Sequence, residues 1–268
     1  MNKKLLTISI VIYKIKLTEL KRFLNYCEKI KFSHKVFIID NNIKSNLSKK
    51  IKLKDNYQYL RQKNVGFGKG HNSILKKINS EFHLVCNTDI IFNPHKLGKI
   101  IKFVKDKKTI GVIGPKIIDK KFKNFGNQKL LPSPLEIFLR KFFKNYYIYK
   151  NSSFNKNFFK IKKPIEVLNI SGCFMLFRTK IFKKINGFDS RYFLYFEDVD
   201  ICRKILKIKK KVFYFPDFKI IHTARSSQRT SLIISFISGI SAIKYFLKWG
   251  IFDKEREFLN KHFIKKIN

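Results

Sequence analysis

Acidic residues are scarce in this chain. Asp and Glu together number 18 among 268 residues, against 59 Lys and Arg, and the formal net charge at pH 7 is +41. Only 9 of these cations are Arg, the side chain best suited to bidentate recognition of phosphates and bases. The shortage of Arg weakens the case for nucleic-acid binding, and we expect no nucleic-acid partner. The charge is also consistent with a lysine-biased composition and with attraction to an anionic membrane surface, and both interpretations stay open.

Closely spaced cysteines are also lacking. The four cysteines lie far apart and form no CxxC motif: Cys27, Cys86, Cys173 and Cys202. This spacing argues against a zinc ribbon and against a disulfide framework, and it favours a reducing compartment. We therefore expect a cytoplasmic protein.

Long hydrophobic runs are missing as well. No stretch approaches the about 20 apolar residues that a membrane-spanning helix needs. The apolar run after Lys4 is short and lacks a small-residue cleavage site, so we expect a buried first strand rather than a signal peptide. Ser231–Lys266 has aliphatic residues at helical spacing and many lysines, as an interfacial helix on the inner face of the plasma membrane would. A helix packed on the domain is the alternative.

The apolar residues show two kinds of spacing along the chain: continuous runs, typical of buried strands, and helical spacing. Short continuous runs predict strands at Leu5–Val11, Lys35–Ile39, Tyr57–Leu60, Phe82–Cys86, Thr109–Gly114 and Val212–Phe215. Ile165–Phe177 also has strand character, interrupted by Ser171-Gly172. Helical spacing predicts helices at Thr18–Ile30, Phe67–Ile78, Pro94–Val104, Thr179–Ile185, Glu197–Ile208 and from Ser231 to the end. This alternation predicts an α/β fold with a mostly parallel central sheet and helices on both faces. The stretch 119–163 shows little periodicity and is interpreted as an insertion.

Polar residues follow two of the predicted strands. Asp40 and Asn42 come after one strand, and Asn87 and Asp89 come after another. Ligands of open α/β sheets bind beyond the carboxyl ends of the strands, so these side chains are candidates for a shared site. Capping of a turn or helix is the alternative for each Asp alone.

A glycine-rich turn, NVGFGKGHN, opens the predicted helix at Phe67. It contains Asn64, Gly66 and Gly68, and glycines there allow close approach of an anionic ligand to the backbone. The spacing is not that of a P-loop, and a glycine-rich turn alone is a weak signal.

Asp89 and His222 are candidates for a divalent-metal site. Asp89 matches the one or two carboxylates that Mg²⁺ takes when substrate phosphates supply other ligands. His222 follows a strand, and its imidazole is a candidate to complete the metal shell or to contact a phosphate, with a purely structural role as the alternative.

Four of the scarce carboxylates fall in one segment, GFDSRYFLYFEDVDIC, from Gly187 to Cys202. Glu197 and Asp198 begin a predicted helix, whose dipole favours ionised carboxylates. Neighbouring helical side chains point about 100° apart, so we expect one to do chemistry and the other to position it. Ordinary N-terminal helix acidity is the alternative. Asp200 is expected on the helix surface, and Asp189 is expected to shape the turn.

The motifs FIIDNN, NVGFGKGHN, VCNTD, SGCFMLFR, GFDSRYFLYFEDVDICRKI and IIHTARSS occur in this order. Together they resemble family 2 glycosyltransferases, especially the rhamnosyltransferase-like branch that builds bacterial surface polysaccharide or lipopolysaccharide. The resemblance covers Leu5 to Ser227 apart from the insertion. It implies a GT-A domain at 1–227, with a nucleotide-sugar-binding half at 1–115, an insertion at 116–163, an acceptor half at 164–227 and a helical tail at 228–268.

The resemblance also implies roles for residues. Asp198 would be the catalytic base with Glu197 supporting it, and Asp89 and His222 would hold Mg²⁺ or Mn²⁺. The donor site would comprise Asp40, Asn42, Asn64, Gly66, Gly68 and Asn87, with Gly172 on a close-lying acceptor strand.

The implied reaction is an inverting sugar transfer from a nucleotide-sugar, with dTDP-rhamnose as the first candidate donor. The implied acceptor is lipid-linked or an oligosaccharide. Two alternatives stay open, a catalytically silent glycosyltransferase-like scaffold and a basic nucleic-acid-binding protein.

Overall fold

A nine-stranded sheet forms the centre of the computed structural model, which describes residues 4–119, 130–143, 145–146, 152–223 and 232–267. The strands are β1 Leu6–Ile12, β2 His34–Asp40, β3 Tyr57–Arg61, β4 Phe82–Cys86, β5 Ile90–Phe92, β6 Ile110–Ile118, β7 Ile165–Val167, β8 Phe174–Arg178 and β9 Lys211–His222. The helices are α1 Leu17–Glu28, α2 Phe67–Asn72, α3 Leu97–Asp106, α4 Pro134–Phe142, α5 Ser152–Phe159, α6 Thr179–Lys184, α7 Glu197–Lys207, α8 Leu232–Trp249 and α9 Lys254–Ile267.

The first half of the sheet is parallel. Its strand order is β3-β2-β1-β4, and β1 pairs in parallel with both β2 and β4. In this register Ile12 lies beside Asp40 and Ile10 beside Cys86, so β2 and β4 end at the same edge of the sheet. The candidate residues after both strands therefore meet there, as expected for a parallel sheet.

The second half of the sheet is mixed. The order continues β8-β6-β9-β5, and β8 pairs antiparallel with β4 and β6. The long β9 runs parallel to β6 but antiparallel to β5 and β7. The predicted α/β fold with helices on both faces is confirmed, with half of the described strand pairings antiparallel.

Several predicted elements differ from the structure. The predicted interruption of Ile165–Phe177 at Ser171 and Gly172 is confirmed, and it is longer than expected, since β7 ends at Val167 and β8 begins at Phe174. The predicted helix Phe67–Ile78 ends at Asn72, and a separate short 3₁₀ turn, Leu75–Lys77, follows it. The three-residue strand β5 was missed because it is too short to show a period.

The predicted C-terminal helix runs from Ser231 to Asn268, and these two end residues lie outside the described part of the chain. The described part forms two helices, α8 and α9. They are separated at Gly250, whose φ of +91° lies in the left-handed region that favours glycine. By length and composition α8 would be able to cross a membrane, and only 11% of its residues are buried.

The stretch 119–163, which we interpret as an insertion, contains helical structure. Helix α4 begins with a capping box, in which the Ser133 hydroxyl accepts from the Glu136 N–H and the Glu136 carboxylate accepts from the Ser133 N–H. Helix α5 follows it and packs against α9. Residues 120–129, 144 and 147–151 lie outside the described part of the chain.

Two hydrophobic clusters pack around the sheet. One contains buried residues of β1, α1 and α3, and the other contains residues of α6, α7, α8 and α9. The second cluster joins the C-terminal helices to the acidic segment Gly187–Cys202.

Candidate active site

Asp40 lies buried at the end of β2. Its carboxylate accepts from the backbone N–H of Asn42 at 2.9 Å and from the hydroxyl of Tyr59. Burial and the hydrogen bond to Asp40 raise the pKa of Tyr59. The phenol therefore stays protonated and donates to Asp40, which fixes the carboxylate at the sheet edge.

Asn41, rather than Asn42, contacts the glycine-rich turn. Its side-chain amide donates to the carbonyl of Gly66 at 2.9 Å and lies 3.4 Å from the side-chain oxygen of Asn64. The amide of Gln62 donates to the Asn41 oxygen at 2.8 Å. The sequence prediction named Asn42 and not Asn41, and the donor-binding role of Asn42 stays a prediction.

The glycine-rich turn lies directly against the acidic segment. Gly66 has φ +86°, and a Cβ there would lie 2.1 Å from the carbonyl oxygen of Phe193. The N–H of Phe67 donates to this same oxygen at 2.9 Å. A Cβ on Gly68 would meet the Phe188 side chain at 2.8 Å. Both glycines are therefore required for close packing between the turn and the acidic segment.

A second contact holds the other end of α2. The Asn72 side chain accepts from the N–H of Phe188 at 2.9 Å and donates to its carbonyl at 2.7 Å. Sequence analysis did not single out Asn72, although it ends the NVGFGKGHN motif. The two ends of α2 thus fix the acidic segment relative to the strand ends.

The paired carboxylates follow an unusual backbone. Tyr195 and Phe196 both have positive φ, 68° and 67°, which is uncommon for bulky residues and typical of functional sites. Asp198 lies in the first turn of α7 and accepts from the N–H of Gly172 at 3.1 Å and of Val199 at 2.9 Å. These two hydrogen bonds fix the carboxylate at the N-terminus of α7.

Gly172 therefore lies beside the candidate base. A Cβ at this position would meet both Asp198 and the Phe67 ring at 3.4 Å. The structure thus places Gly172 between the glycine-rich turn and Asp198, close to the acidic segment rather than to Asp40.

Glu197 differs from its neighbour. Its side chain is buried, and its Oε2 atom has no hydrogen-bond partner among the described residues. Burial, followed by the nearby charge of Asp198, raises the pKa of Glu197 to about 8. Glu197 therefore holds its proton at neutral pH, so the two carboxyl groups are suited to different roles.

The third group contains Asn87, Asp89 and His222. Asp89 Oδ1 and His222 Nε2 are 3.2 Å apart, and the Thr223 N–H and hydroxyl each donate to the Asp89 carbonyl at 2.8 Å. Burial opposes ionisation of Asp89, but the favourable interaction of its carboxylate with the nearby His222 imidazole outweighs it and lowers the pKa of Asp89. Pairing of β5 with β9 places Ile90 beside His222 and so brings the two residues together.

This pair fits a divalent cation. Asp89 Oδ1 and His222 Nε2 are buried and point toward each other without the alignment of a hydrogen bond. Their 3.2 Å separation is close to the about 3 Å between adjacent ligands of an octahedral Mg²⁺ with bonds of about 2.1 Å. No cluster of three or more His, Cys, Asp or Glu suited to a metal occurs among the described residues. Substrate phosphates and water would therefore complete the shell.

The candidate metal pair and the candidate base are linked through the turn at Gly172 and Cys173, just before β8. The N–H of Asn87 donates to the carbonyl of Cys173 at 3.1 Å, and the neighbouring Gly172 donates to Asp198. All three groups of predicted residues thus meet at one end of the sheet.

Two acidic residues outside this group have structural contacts. The expectation that Asp200 lies on the helix surface is wrong, because it is fully buried and accepts from Lys248 Nζ at 2.6 Å and Trp249 Nε1 at 2.7 Å. Asp189 accepts from the N–H of Arg191 at 3.0 Å and so shapes the turn as expected. Burial opposes ionisation of Asp189, but hydrogen bonds from Arg191 and Lys248 hold its pKa well below its usual range.

An α/β fold with a glycine-rich turn and carboxylates at the strand ends is typical of proteins that bind a ligand beyond the carboxyl ends of the strands. A sequence profile described as glycosyl transferase family 2 matches residues 10–186, well over half of the chain. The chain belongs to family 2 glycosyltransferases and is a transferase of that class. A profile described as the N-terminal domain of galactosyltransferase matches residues 152–226.

Curated relatives point to the rhamnosyltransferase-like branch. The chain is 40% identical over 60 residues to rhamnosyltransferase WbbL of Escherichia coli K12, covering 22% of this chain and 23% of that protein. It is 22% identical over 177 residues to N-acetylglucosaminyl-diphospho-decaprenol L-rhamnosyltransferase of Mycobacterium tuberculosis, covering 59% of this chain and 56% of that protein. The matches thus span about a quarter and a little over half of these relatives.

Solved structures share the fold. GalNAc-T7 with UDP, GalNAc and Mn²⁺ aligns with a TM-score of 0.62 at 15% identity, covering 84% of this chain and 44% of that one. Residues 1–349 of TarS from S. aureus align with a TM-score of 0.54 at 16% identity, covering 82% and 60%. These similarities support the GT-A fold that the resemblance implies.

Proposed function

We propose that this chain transfers a sugar, with inversion, from a nucleoside-diphosphate sugar to an acceptor hydroxyl. The observation that carries this proposal is the Asp198 carboxylate, held by the N–H groups of Gly172 and Val199 beside the glycine-rich turn. In the proposed reaction Asp198 removes the proton from the acceptor hydroxyl as that oxygen attacks the anomeric carbon. The bond between that carbon and the diphosphate breaks, and the nucleoside diphosphate leaves from the opposite face.

Asp40, Asn41, Asn64 and Gly66 would bind the donor at the sheet edge. Asp40 is fixed by Tyr59 and so offers a preset acceptor for hydroxyl or base N–H groups of a nucleoside. The amide of Asn41 holds the turn that carries Gly66. Asn87 would complete this side of the site, while Asn42 and Gly68 would contribute through backbone position.

Asp89 and His222 would hold Mg²⁺ or Mn²⁺, which would offset charge developing on the leaving diphosphate. Removing the carboxylate in Asp89→Ala should therefore weaken metal binding and donor binding together. Titration of the donor by calorimetry, with and without Mn²⁺, measures both effects. Donor affinity that is unchanged in the variant with metal present would contradict this role.

We infer rhamnose as the sugar and dTDP-rhamnose as the donor to test first, because two relatives are named as rhamnosyltransferases. A lipid-linked acceptor is proposed because one relative's name specifies a diphospho-decaprenol. The reaction would then occur on the cytoplasmic side of the membrane, in the synthesis of surface polysaccharide.

A donor screen tests the proposed function. Purified protein is incubated with a panel of nucleotide-sugars and Mg²⁺ or Mn²⁺, and release of nucleoside diphosphate is measured with and without acceptor lipid. Release from one donor, lost in Asp198→Asn, is expected. Release from no donor under any condition would leave the chain as a glycosyltransferase-like scaffold.

A further inference from the structure

Helix α8 carries a continuous apolar stripe on its outer side. At about 100° per residue, seven of its residues fall within one sector about 120° wide. They are Leu232, Ile233, Phe236, Gly239, Ile240, Ile243 and Leu247. The six apolar side chains of this set are exposed, from 36% for Ile240 to 87% for Leu232. The sector contains no charged residue and runs for about 22 Å at 1.5 Å per residue.

The opposite side of α8 holds the acidic segment. Ser241 Oγ donates to the Leu194 carbonyl at 2.8 Å, and Lys244 Nζ donates to the Arg191 carbonyl at 2.9 Å. The buried Tyr245 ring packs on Phe196, with ring centroids 5.4 Å apart. Because these contacts fix the rotation of α8, the stripe stays at the surface.

These contacts also exclude a membrane-spanning position for α8. Lys248 pairs with the buried Asp200, and spanning would pull Lys248 away and leave that carboxylate without its cation. The helix therefore has one face packed on the globular protein and one face that the described residues leave uncovered. A helix of this kind lies in the plane of a membrane interface rather than across it.

The net positive charge of the protein indicates which kind of partner fits the outer face of α8. A second copy of the chain would bring another net charge of +41 to the contact, which opposes association of two copies. An anionic bilayer has the complementary charge, and exposed lysines follow on α9, namely Lys254, Lys261, Lys265 and Lys266. Exposed Ile251 and Phe252 extend the apolar surface beyond the end of α8.

We propose that the outer stripe of α8 docks on an anionic lipid bilayer, with the helix parallel to the surface. Since α8 also holds the acidic segment, docking would bring the candidate base close to a lipid-linked acceptor. The inference about the acceptor rests on the proposed function, whereas the docking surface itself does not.

A matched pair of variants tests the docking surface. Ile243 on the stripe is 61% exposed, and Ile43 in the loop after β2 is 56% exposed, so Ile243→Asp and Ile43→Asp make the same change at similar exposure. Co-sedimentation is measured with vesicles of phosphatidylcholine containing about a third phosphatidylglycerol, and with phosphatidylcholine alone. We expect the wild type and Ile43→Asp to bind the anionic vesicles, and Ile243→Asp to bind at least about tenfold more weakly.

Two results would overturn the proposal. One is equal vesicle binding by the two variants. The other is a dimer in light scattering that only Ile243→Asp disrupts, without vesicle binding by the wild type, which would assign the stripe to a second copy. Circular dichroism confirms that both variants are folded. Nucleoside diphosphate release without vesicles tests the proposed function separately, since a protein that binds vesicles but uses no donor keeps the docking surface alone.

Discussion

At the scale of residues, Glu197 and Asp198 are neighbours in different environments. The Asp198 carboxylate accepts two backbone N–H groups, whereas Glu197 is buried with a pKa raised to about 8. A general base must be ionised when the acceptor arrives, and this requirement favours Asp198 at neutral pH.

The isosteric variants Asp198→Asn and Glu197→Gln separate the two roles. We expect Asp198→Asn to lower kcat by about 10²- to 10⁴-fold, the usual contribution of a general base, with donor affinity near that of the wild type. Glu197→Gln should retain most activity at pH 7, because the native side chain is already uncharged there. Steady-state kinetics with the donor found in the screen measure both. The opposite ranking of the two variants would assign the base to Glu197.

Glu197 also predicts a pH dependence of stability. Because its pKa rises from an ordinary 4.5 to about 8, the folded state binds a proton that the unfolded state has released between these values. Its contribution is fully present below about pH 4.5 and is lost as the pH rises through about 8. Glu197→Gln removes this titration, so its Tm relative to the wild type should increase from pH 5 to pH 8.5. A Tm difference that is constant over this range would contradict the raised pKa.

The candidate site shows how far sequence reasoning reaches at this scale. The motif residues Asp40, Asp89 and Asp198 were identified because each follows a strand or begins a helix. The contact of Asn41 with the glycine-rich turn, and the burial of Asp200, depend on residues far away in the chain. Such contacts leave no local pattern in the sequence.

At the scale of elements, α8 and α7 are joined through a buried charge. Asp200 on α7 is fully buried and accepts from Lys248 and Trp249 on α8. This contact fixes the start of α7, where the candidate base lies, against a helix more than 30 residues further on.

Removing the cation tests this contact. Lys248→Met leaves a buried carboxylate without its charge partner, and such losses cost about 3–5 kcal/mol. We expect the value at the lower end, about 3 kcal/mol, because Trp249 still donates to Asp200. Urea unfolding measures the change in free energy.

The double variant Asp200→Asn/Lys248→Met is the control for this experiment. It lacks both charges of this pair and should recover part of the loss, which a simple packing defect at residue 248 would not allow. If the double variant is less stable than Lys248→Met by the full cost of Asp200→Asn alone, the two effects are additive. The two side chains are then not coupled.

Elements with a strong local pattern were predicted closely. Strands β1, β2 and β4 are continuous apolar runs, and their predicted bounds differ from the structure by at most one residue. The three-residue β5 was not predicted, because its pairing with β9, rather than local sequence, makes it a strand. The strand expected before His222 was predicted, but not that it is continuous with Val212–Phe215 in β9. The pairing of β5 with β9 forms the candidate metal site, so the sequence predicted its residues but not the element that brings them together.

At the scale of the whole molecule, the excess positive charge is the dominant physical feature. With 59 cations and 18 anions, most lysines have no carboxylate to pair with. Those anions that lie in the acidic segment are used within the fold, since Asp189 and Asp200 pair with Lys248 and Asp198 accepts backbone N–H groups. The remaining surface therefore repels itself, and this repulsion opposes the compact state.

This repulsion predicts that salt stabilises the protein. Raising NaCl from about 10 to about 150 mM shortens the Debye length from about 30 to about 8 Å, which screens repulsion between distant lysines. The buried pair of Asp200 and Lys248 is screened much less, so the net effect should be stabilising. A gain of about 1 kcal/mol would raise Tm by about 2–4 °C for a chain of this size, as measured by differential scanning fluorimetry. KCl and NaCl should act equally at the same ionic strength, because screening does not depend on the cation. A Tm that falls with salt would show instead that surface ion pairs outweigh repulsion, and the net charge would then have no bearing on stability.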